Sequence, residues 1–218
     1  MRVASKTELV QVGFTLNGKP VTGHAEPRML LSDFLRQVIG ATGTHVGCEH
    51  GVCGCCTLRI DGVAQRSCLV LAVQAEGLDV QTVEGISDRE DTMSVLQEAF
   101  RKHHALQCGF CTPGILMSFV DFMERVPDPT EEQLRDTLSG HICRCTGYAG
   151  IMAAVIEAAE TLRAADRDEL DVTLHATATV QEELGLRGAR MAGYSLDPDA
   201  VLVVDVTFAT DVPKVAET

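Results

Sequence analysis

The nine cysteines of this 218-residue chain constrain it most, because they fall into two separate groups. Five lie between residues 48 and 68, and four lie between residues 108 and 145. The 39 residues that separate Cys68 from Cys108 contain none. In a reducing compartment, clustered cysteines more often bind metal than form disulfides. The distribution therefore predicts two local sites built on sulfur.

The first group has the spacing of a plant-type ferredoxin. Cys48, Cys53 and Cys56 follow the pattern C-x4-C-x2-C, and Cys68 follows after eleven residues. Three thiolates from one tight loop can wrap one side of a 2Fe–2S rhomb, with the fourth thiolate supplied by a neighbouring element. The extra cysteine of this loop, Cys55, is interpreted as a small buried side chain, with a spare ligand or redox-active thiol as the alternative.

Glycines surround the same loop. They allow positive φ angles and close backbone approach, so that backbone N–H groups can point at sulfur. These bonds tune the reduction potential of a cluster. The glycines are Gly47, Gly51 and Gly54.

The second group consists of two short cysteine pairs. Cys108 and Cys111 form C-x2-C, and Cys143 and Cys145 form C-x-C after a gap of 31 residues. Four thiolates from two pairs also suit tetrahedral zinc, although structural zinc sites usually use C-x2–4-C pairs. The spacing alone leaves zinc and iron–sulfur open, and the ferredoxin pattern of the first group favours a second cluster.

The hydrophobic patterning predicts an α+β first half followed by a helical second half. The first half alternates as two hairpins with Asn-Gly and Asp-Gly turns, plus one helix over 29–39 that Gly40 can cap and a short strand over 78–83. The second half predicts four helices, over about 92–104, 114–125, 130–138 and 150–165, with a cap at Asp91–Thr92 for the first and Pro113 at the start of the second. The predicted domains are 1–85, 86–165 and an extension, 166–218, that is too short for its own core and is expected to pack on a partner or on the main body.

The composition narrows the function classes. The net charge of −13 makes the chain a poor binder of nucleic acid. It contains no run of 18 apolar residues and no apolar core of a secretory signal near residue 1, so we expect a cytoplasmic protein without a membrane span. No catalytic triad, phosphate loop or dinucleotide fingerprint occurs, and no residue is predicted to be catalytic.

With both groups in view, the chain resembles the small iron–sulfur subunit of the xanthine oxidase family of molybdenum hydroxylases, which includes aldehyde oxidoreductases and aerobic carbon monoxide dehydrogenases. The resemblance covers about residues 5–165 and rests on four stretches: GCEHGVCGCCTLRIDG, RSC, QCGFCTPG and HICRCTGY. It implies a ferredoxin-like β-grasp domain followed by a four-helix bundle.

The resemblance also implies the cofactor-binding residues. The metal ligands of its two 2Fe–2S clusters fall on two sets of four: Cys48, Cys53, Cys56 and Cys68, then Cys108, Cys111, Cys143 and Cys145. Gln107 would touch the pterin cofactor of a neighbouring subunit, and Cys145 would lie close to the pterin amino group. A bracing role within its own loop is the alternative for Gln107.

The resemblance implies a multi-subunit enzyme. A large subunit would hold molybdopterin, in the cytosine dinucleotide form, and a medium subunit would hold FAD, in a dimer of heterotrimers. Electrons would pass from the molybdenum centre through both clusters to flavin or another acceptor. A freestanding ferredoxin-like carrier and a zinc-stabilised interaction module are the competing hypotheses. Two features depart from the family pattern: Cys55, where alanine is common, and the extension after residue 166.

Overall fold

A computed structural model describes residues 8–87 and 93–168 of the chain. Everything described below lies in one compact unit, Met1–Leu170. The predicted extension therefore lies almost wholly outside the described residues, and its packing stays a prediction.

The first half of this unit is a five-stranded mixed sheet with strand order β2-β1-β5-β3-β4. The strands are β1 (Val10–Leu16), β2 (Lys19–Ala25), β3 (Thr57–Ile60), β4 (Val63–Arg66) and β5 (Asp79–Gln81). β1 pairs antiparallel with β2 and parallel with β5, and β3 pairs antiparallel with both β4 and β5.

Both predicted hairpins are confirmed, and the reason is local. Asn17 and Gly18 have φ of 50° and 75°, and Asp61 and Gly62 have φ of 49° and 80°. Two successive positive φ angles are what a two-residue turn needs to match the twist of its strands. The sequence alone therefore sets the register of both hairpins.

One helical segment covers the sheet. A short helix, α1 (Leu31–Asp33), continues as wider π-helical turns over Phe34–Ile39 and ends at Gly40, whose φ of 86° caps it as predicted. Its apolar face closes a core with alternate residues of the strands. The largest buried members of this core include Val12, Phe34, Leu35, Leu58 and Val80.

The second half contains four helices within the described residues: α2 (Val95–Lys102), α3 (Thr112–Arg125), α4 (Glu131–Ser139) and α5 (Ala149–Asp168). They share a separate core that includes Phe100, Ile115, Phe119, Ile151 and Val155. Pro113 lies in the first turn of α3, as predicted, where its missing N–H costs no hydrogen bond.

Helix caps fix two of these starts. The side chains of Ser94 and Thr130 accept hydrogen bonds from the backbone N–H groups of Gln97 and Gln133, which completes two capping boxes. The expected cap at Asp91–Thr92 is wrong, because α2 begins only after Ser94. A capping box needs Glu or Gln three residues on, and Gln97 stands at that spacing from Ser94.

Candidate metal centres

The loop between α1 and β3 holds four cysteines of the first group, three of which belong to the ferredoxin spacing. The backbone N–H of Cys53 donates to Cys48 Sγ at 3.4 Å, and the two thiols also contact each other. The N–H group of Cys53 and then that of His50 lower the pKa of Cys48 to about 6. The loop therefore favours a thiolate at Cys48 without any metal.

Glycine is required at the turns of this loop. Gly51 and Gly54 have φ of 83° and 79°, in the left-handed region. A Cβ at Gly47 would lie 3.1 Å from Cys53 Sγ and 3.2 Å from Cys55 Sγ, closer than such contacts ordinarily are. The loop is thus a cradle in which backbone, rather than side chain, surrounds the sulfurs.

Cys56 and Cys68 meet beneath the loop. Both the N–H and the hydroxyl of Ser67 donate to the carbonyl oxygen of Cys56, at 3.2 and 2.8 Å. This places the thiol of Cys68, on the turn after β4, within hydrogen-bond contact of the Cys56 thiol. Burial raises the pKa of Cys68 to about 11, so metal binding there has to displace a proton.

Cys55 points away from this pair. It is 2% exposed, as expected of a small buried side chain. Its Sγ lies 3.3 Å from Cys53 Sγ and 3.4 Å from the carbonyl oxygen of His45. Burial raises its pKa to about 12, which keeps it a protonated thiol.

The second group assembles from two helix-flanking segments. Cys111 immediately precedes α3, and the C-x-C pair lies in the turn between α4 and α5. Cys145 Sγ lies 3.3 Å from Cys108 Sγ, and both residues are exposed. Cys111 is buried, and its thiol contacts that of Cys143. Each group of four thiols therefore meets as two close pairs.

Cys111 and Cys143, which contact each other, have different environments. Burial raises the pKa of Cys111 to about 12. Burial acts on Cys143 in the same direction, but hydrogen bonds from the side chain and backbone of Thr146, the backbone of Cys145 and the thiol of Cys111 together leave the pKa of Cys143 below its ordinary value. Thr146 Oγ lies 3.1 Å from Cys143 Sγ.

Tyr148 braces the turn that carries Cys143. Its hydroxyl accepts from the Cys143 N–H at 2.8 Å and donates to the carbonyl oxygen of His141 at 3.2 Å. Its φ of 67° is unusual for a bulky residue and costs about 1–3 kcal/mol. The two hydroxyl hydrogen bonds hold this strained backbone in place.

The two cysteine groups touch through the backbone. The N–H of Ile142 donates to the carbonyl oxygen of Cys53 at 3.0 Å, and Ile142 directly precedes Cys143. Gly114 of α3 packs on the first loop so closely that a Cβ there would lie 2.1 Å from the carbonyl oxygen of Gly54. One main-chain hydrogen bond thus joins a cysteine of the first group to the residue next to a cysteine of the second.

A buried histidine fills the space beside this contact. His141 is 3% exposed, and its Nε2 lies 2.8 Å from Ser118 Oγ. Burial, and then the charge of Arg66, lower the pKa of His141 to about 4, so its ring is neutral. Arg66 also donates to the carbonyl oxygen of Gly140 at 2.8 Å. The sequence did not predict that three residues position the segments around the cysteines, because no spacing rule links them to cysteine. These residues are His141, Arg66 and Tyr148.

The remaining predicted residues are at the surface. Gln107 is exposed beside the exposed Cys108, at the open edge of the second group. His50, inside the first cysteine loop, and Arg144, between Cys143 and Cys145, are also exposed. No helix in the described ranges is long and apolar enough to cross a membrane.

The donor sets fit diiron centres. Thiolate sulfur is the ligand that 2Fe–2S clusters use, with two thiolates on each iron, and the observed pairs match that division. The glycine cradle leaves room, and the buried hydroxyl of Thr112, next to Cys111, has no hydrogen-bond partner. Within residues 8–87 and 93–168, no three or more His, Cys, Asp or Glu side chains meet in a geometry that would hold one metal ion.

Comparison with known families gives two matches to the described chain. The model of the 2Fe-2S iron-sulfur cluster binding domain matches residues 14–80, and that of the [2Fe-2S] binding domain matches residues 82–156. Zinc, left open for the second group, is therefore wrong. A third model, M42 glutamyl aminopeptidase, matches residues 152–218, most of which lie outside the described part.

Similar proteins cover almost three quarters of the chain. The small subunit of nicotine 6-hydroxylase from Paenarthrobacter nicotinovorans is 49% identical over 158 residues, which are 72% of this chain and 94% of that one. Subunit gamma of caffeine dehydrogenase from Pseudomonas sp. (strain CBB1) is 44% identical over 168 residues, 73% and 96% of the two chains. The crystal structure of quinoline 2-oxidoreductase from Pseudomonas putida 86 matches with a TM-score of 0.69 and 49% identity, over 72% of this chain and 98% of that one.

Proposed function

Because this chain belongs to the small iron–sulfur subunits of the molybdenum hydroxylases, we propose that it relays electrons between a molybdenum-containing subunit and a flavin-containing subunit. Its relatives are named as subunits of hydroxylases and dehydrogenases, which makes this chain an oxidoreductase subunit. The freestanding carrier is disfavoured, since such a carrier has no use for the helical half.

The observation that carries the proposal is the pairing of eight thiols. One centre uses Cys48 with Cys53 and Cys56 with Cys68, where the members of each pair contact one another. The other centre uses the corresponding pairs of the helical half: Cys108 with Cys145, and Cys111 with Cys143. When bound, each 2Fe–2S cluster supplies a one-electron carrier, and the protein supplies its position and its electrostatics.

The chain connects the two centres by a short backbone route. The carbonyl group of Cys53 accepts from Ile142, whose own carbonyl is bonded to the nitrogen of Cys143. Beside this bond, Gly114 packs on the carbonyl oxygen of Gly54, and the neutral ring of His141 is buried against the same glycine. We assign this bridge the role of fixing the distance over which an electron moves between the centres.

The exposed edge of the second group supports a position for the partner subunits. Cys108 and Cys145 are exposed together with Gln107, and the exposed apolar side chains of Phe110 and Ile142 flank them. We propose that this edge faces the large subunit, with Gln107 and Cys145 near its pterin, in the cytosine dinucleotide form. The medium FAD subunit then lies on the side of the first centre, within a dimer of heterotrimers.

Purification of the native complex tests this function. We expect four irons per copy of this chain, two distinct paramagnetic resonance signals after reduction, and reduction of both when substrate of the large subunit is added. One signal, or two signals that substrate does not reduce, would contradict the relay. Replacement of Gln107 by Ala should slow reduction by substrate and leave both signals unchanged, whereas a loop-bracing role would alter the signal of the helical centre.

A further inference from the structure

The turn between the last two helices places a hydroxyl group against one thiol of the second group. Thr146 Oγ lies 3.1 Å from Cys143 Sγ and also accepts the backbone N–H of Tyr148 at 3.1 Å. A hydroxyl has two acceptor lone pairs and a single proton. Because the N–H of Tyr148 occupies a lone pair, the proton of Thr146 is free to point at the sulfur of Cys143.

The surrounding turn holds this donor in place. Gly147 and Tyr148 have φ of 64° and 67°, so the backbone reverses directly after Thr146. The hydroxyl of Tyr148 is tied to the N–H of Cys143 and to the carbonyl of His141, which closes the turn on itself. The hydroxyl of Thr146 is therefore oriented before any cluster binds.

We propose that Thr146 raises the reduction potential of the helical-half cluster by donating an O–H···S hydrogen bond to Cys143. This inference rests on the proposed assignment of Cys143 as a cluster ligand. One-electron reduction adds negative charge that the ligand sulfurs share, so the hydrogen bond is stronger in the reduced than in the oxidised state. The proton stays on the Thr146 oxygen, and no covalent bond is made or broken.

The first group has a weaker counterpart. The side chain next to Cys53 Sγ is the thiol of Cys55, at 3.3 Å, and a thiol is a weaker donor than a hydroxyl. Thr146 therefore distinguishes the two centres chemically, and its effect is expected on one of them alone. This selectivity separates potential tuning from a general loosening of the fold.

Redox titration of the purified complex, followed by paramagnetic resonance, tests the inference. In Thr146→Val we expect the ratio of reduced to oxidised helical-half cluster, at fixed ambient potential, to fall on the order of tenfold, which is about 59 mV for one electron. The other cluster should keep its midpoint. Thr146→Ser keeps the hydroxyl and should restore the native midpoint.

Thr161→Val is the matched control, since the hydroxyl of Thr161 donates to the carbonyl of Glu157 at 2.9 Å rather than to a thiol. It should change neither midpoint. An unchanged midpoint in Thr146→Val with both clusters present would overturn the inference, and so would an equal shift of both clusters.

If Thr146→Val loses iron, Thr146→Ala is titrated instead. If that variant also loses iron, the native complex is compared in H2O and D2O, where absence of a deuterium shift in its Fe–S stretching bands overturns the inference.

A different result would contradict the assignment of Cys143 as a cluster ligand. Retention of both resonance signals in Cys143→Ala would exclude Cys143 as a ligand, whatever Thr146 does. Loss of one signal in Cys143→Ala together with an unchanged midpoint in Thr146→Val would leave the relay intact and remove only the tuning role.

Discussion

The two halves of this chain hold their thiols in opposite ways. The sheet half gathers three of its four predicted ligands, together with Cys55, within one loop of nine residues, from Cys48 to Cys56, and it buries the pair formed by Cys56 and Cys68. The helical half brings together two pairs separated by 31 residues and leaves Cys108 and Cys145 exposed. The first site is thus mainly a product of local backbone geometry, and the second is a product of helix packing.

The difference has an energetic basis. Closing a short loop costs little chain entropy, and glycine provides the positive φ angles that the first loop needs. The second site exists only when the segments before α3 and α5 meet, because each of these segments carries two of its cysteines. The second site should therefore respond to changes at the contact between the halves, and the first should respond mainly to changes within its loop.

The largest expected effect separates two adjacent cysteines of the first loop. Cys56→Ala should remove one cluster and leave the helical-half cluster in place, because its thiol is half of the buried pair with Cys68. Cys55→Ala should keep both clusters. Iron per chain and resonance signals of the reduced complex measure the outcome, and the reverse pattern would mean that the ligand was assigned to the wrong cysteine.

The next effect concerns the contact between the halves. Gly114→Ala places a methyl group 2.1 Å from the carbonyl oxygen of Gly54. Because that oxygen belongs to the backbone, the clash can be relieved only if the backbone moves. We expect about 3 kcal/mol of destabilisation by overpacking and an altered magnetic interaction between the clusters. Gly140→Ala is the control, since its nearest neighbour at 3.2 Å is the flexible end of Arg66. Equal midpoints of thermal unfolding in the two variants would argue against a rigid contact.

A smaller effect is expected at the ion pair that crosses between the halves. Arg59 is bidentate to Glu124 and donates to Gln81 Oε1 at 3.0 Å, with its side chain only 11% exposed. Arg59→Met should cost about 1 kcal/mol, because charge-assisted hydrogen bonds are lost across the contact.

The matched control for that pair is an exposed one. Arg135 pairs with Glu131 four residues away on α4, with both side chains more than 60% exposed. Arg135→Met should cost only about 0.3–0.5 kcal/mol. Denaturant midpoints measure both, and similar losses would show that the pair across the halves contributes no more than a surface pair.

The smallest effect is a pH dependence within the helical half. Lys102 Nζ and His103 Nε2 each lie 2.7 Å from Glu157 Oε2, and they lower the pKa of that carboxyl. A lowered pKa in the folded state adds stability above the ordinary Glu value, and this stability is lost as the pH falls through the folded value.

Glu157→Gln should therefore flatten the acid side of the stability curve slightly. Thermal unfolding between about pH 3 and 6 gives the measurement. Glu160→Gln, which removes a different carboxylate from the same helix, is the control. If the stability curve of Glu157→Gln runs parallel to that of the native chain, the contacts of Glu157 with Lys102 and His103 contribute nothing measurable.

Spacing and turn chemistry predicted much of the fold. Asn17-Gly18 and Asp61-Gly62 fixed both hairpins, and Pro113 marked the first turn of α3, since each acts through its own φ angle. The predicted start of α2 was wrong. Two capping signals lie close together there, at Asp91–Thr92 and at Ser94, and the helix uses Ser94 because Gln97 completes its capping box. The family models confirm that both cysteine groups belong to 2Fe–2S domains, while the individual ligands remain a proposal.

By itself, the sequence determined that the chain carries two sulfur-rich sites, because thiol spacing within one loop is set by covalent geometry. Only the tertiary structure decided that Cys108 meets Cys145, that Cys111 meets Cys143, and that Ile142 reaches Cys53. Those contacts join residues from separate segments of the chain, and their distances follow from how the sheet and the helices pack, which no local pattern encodes.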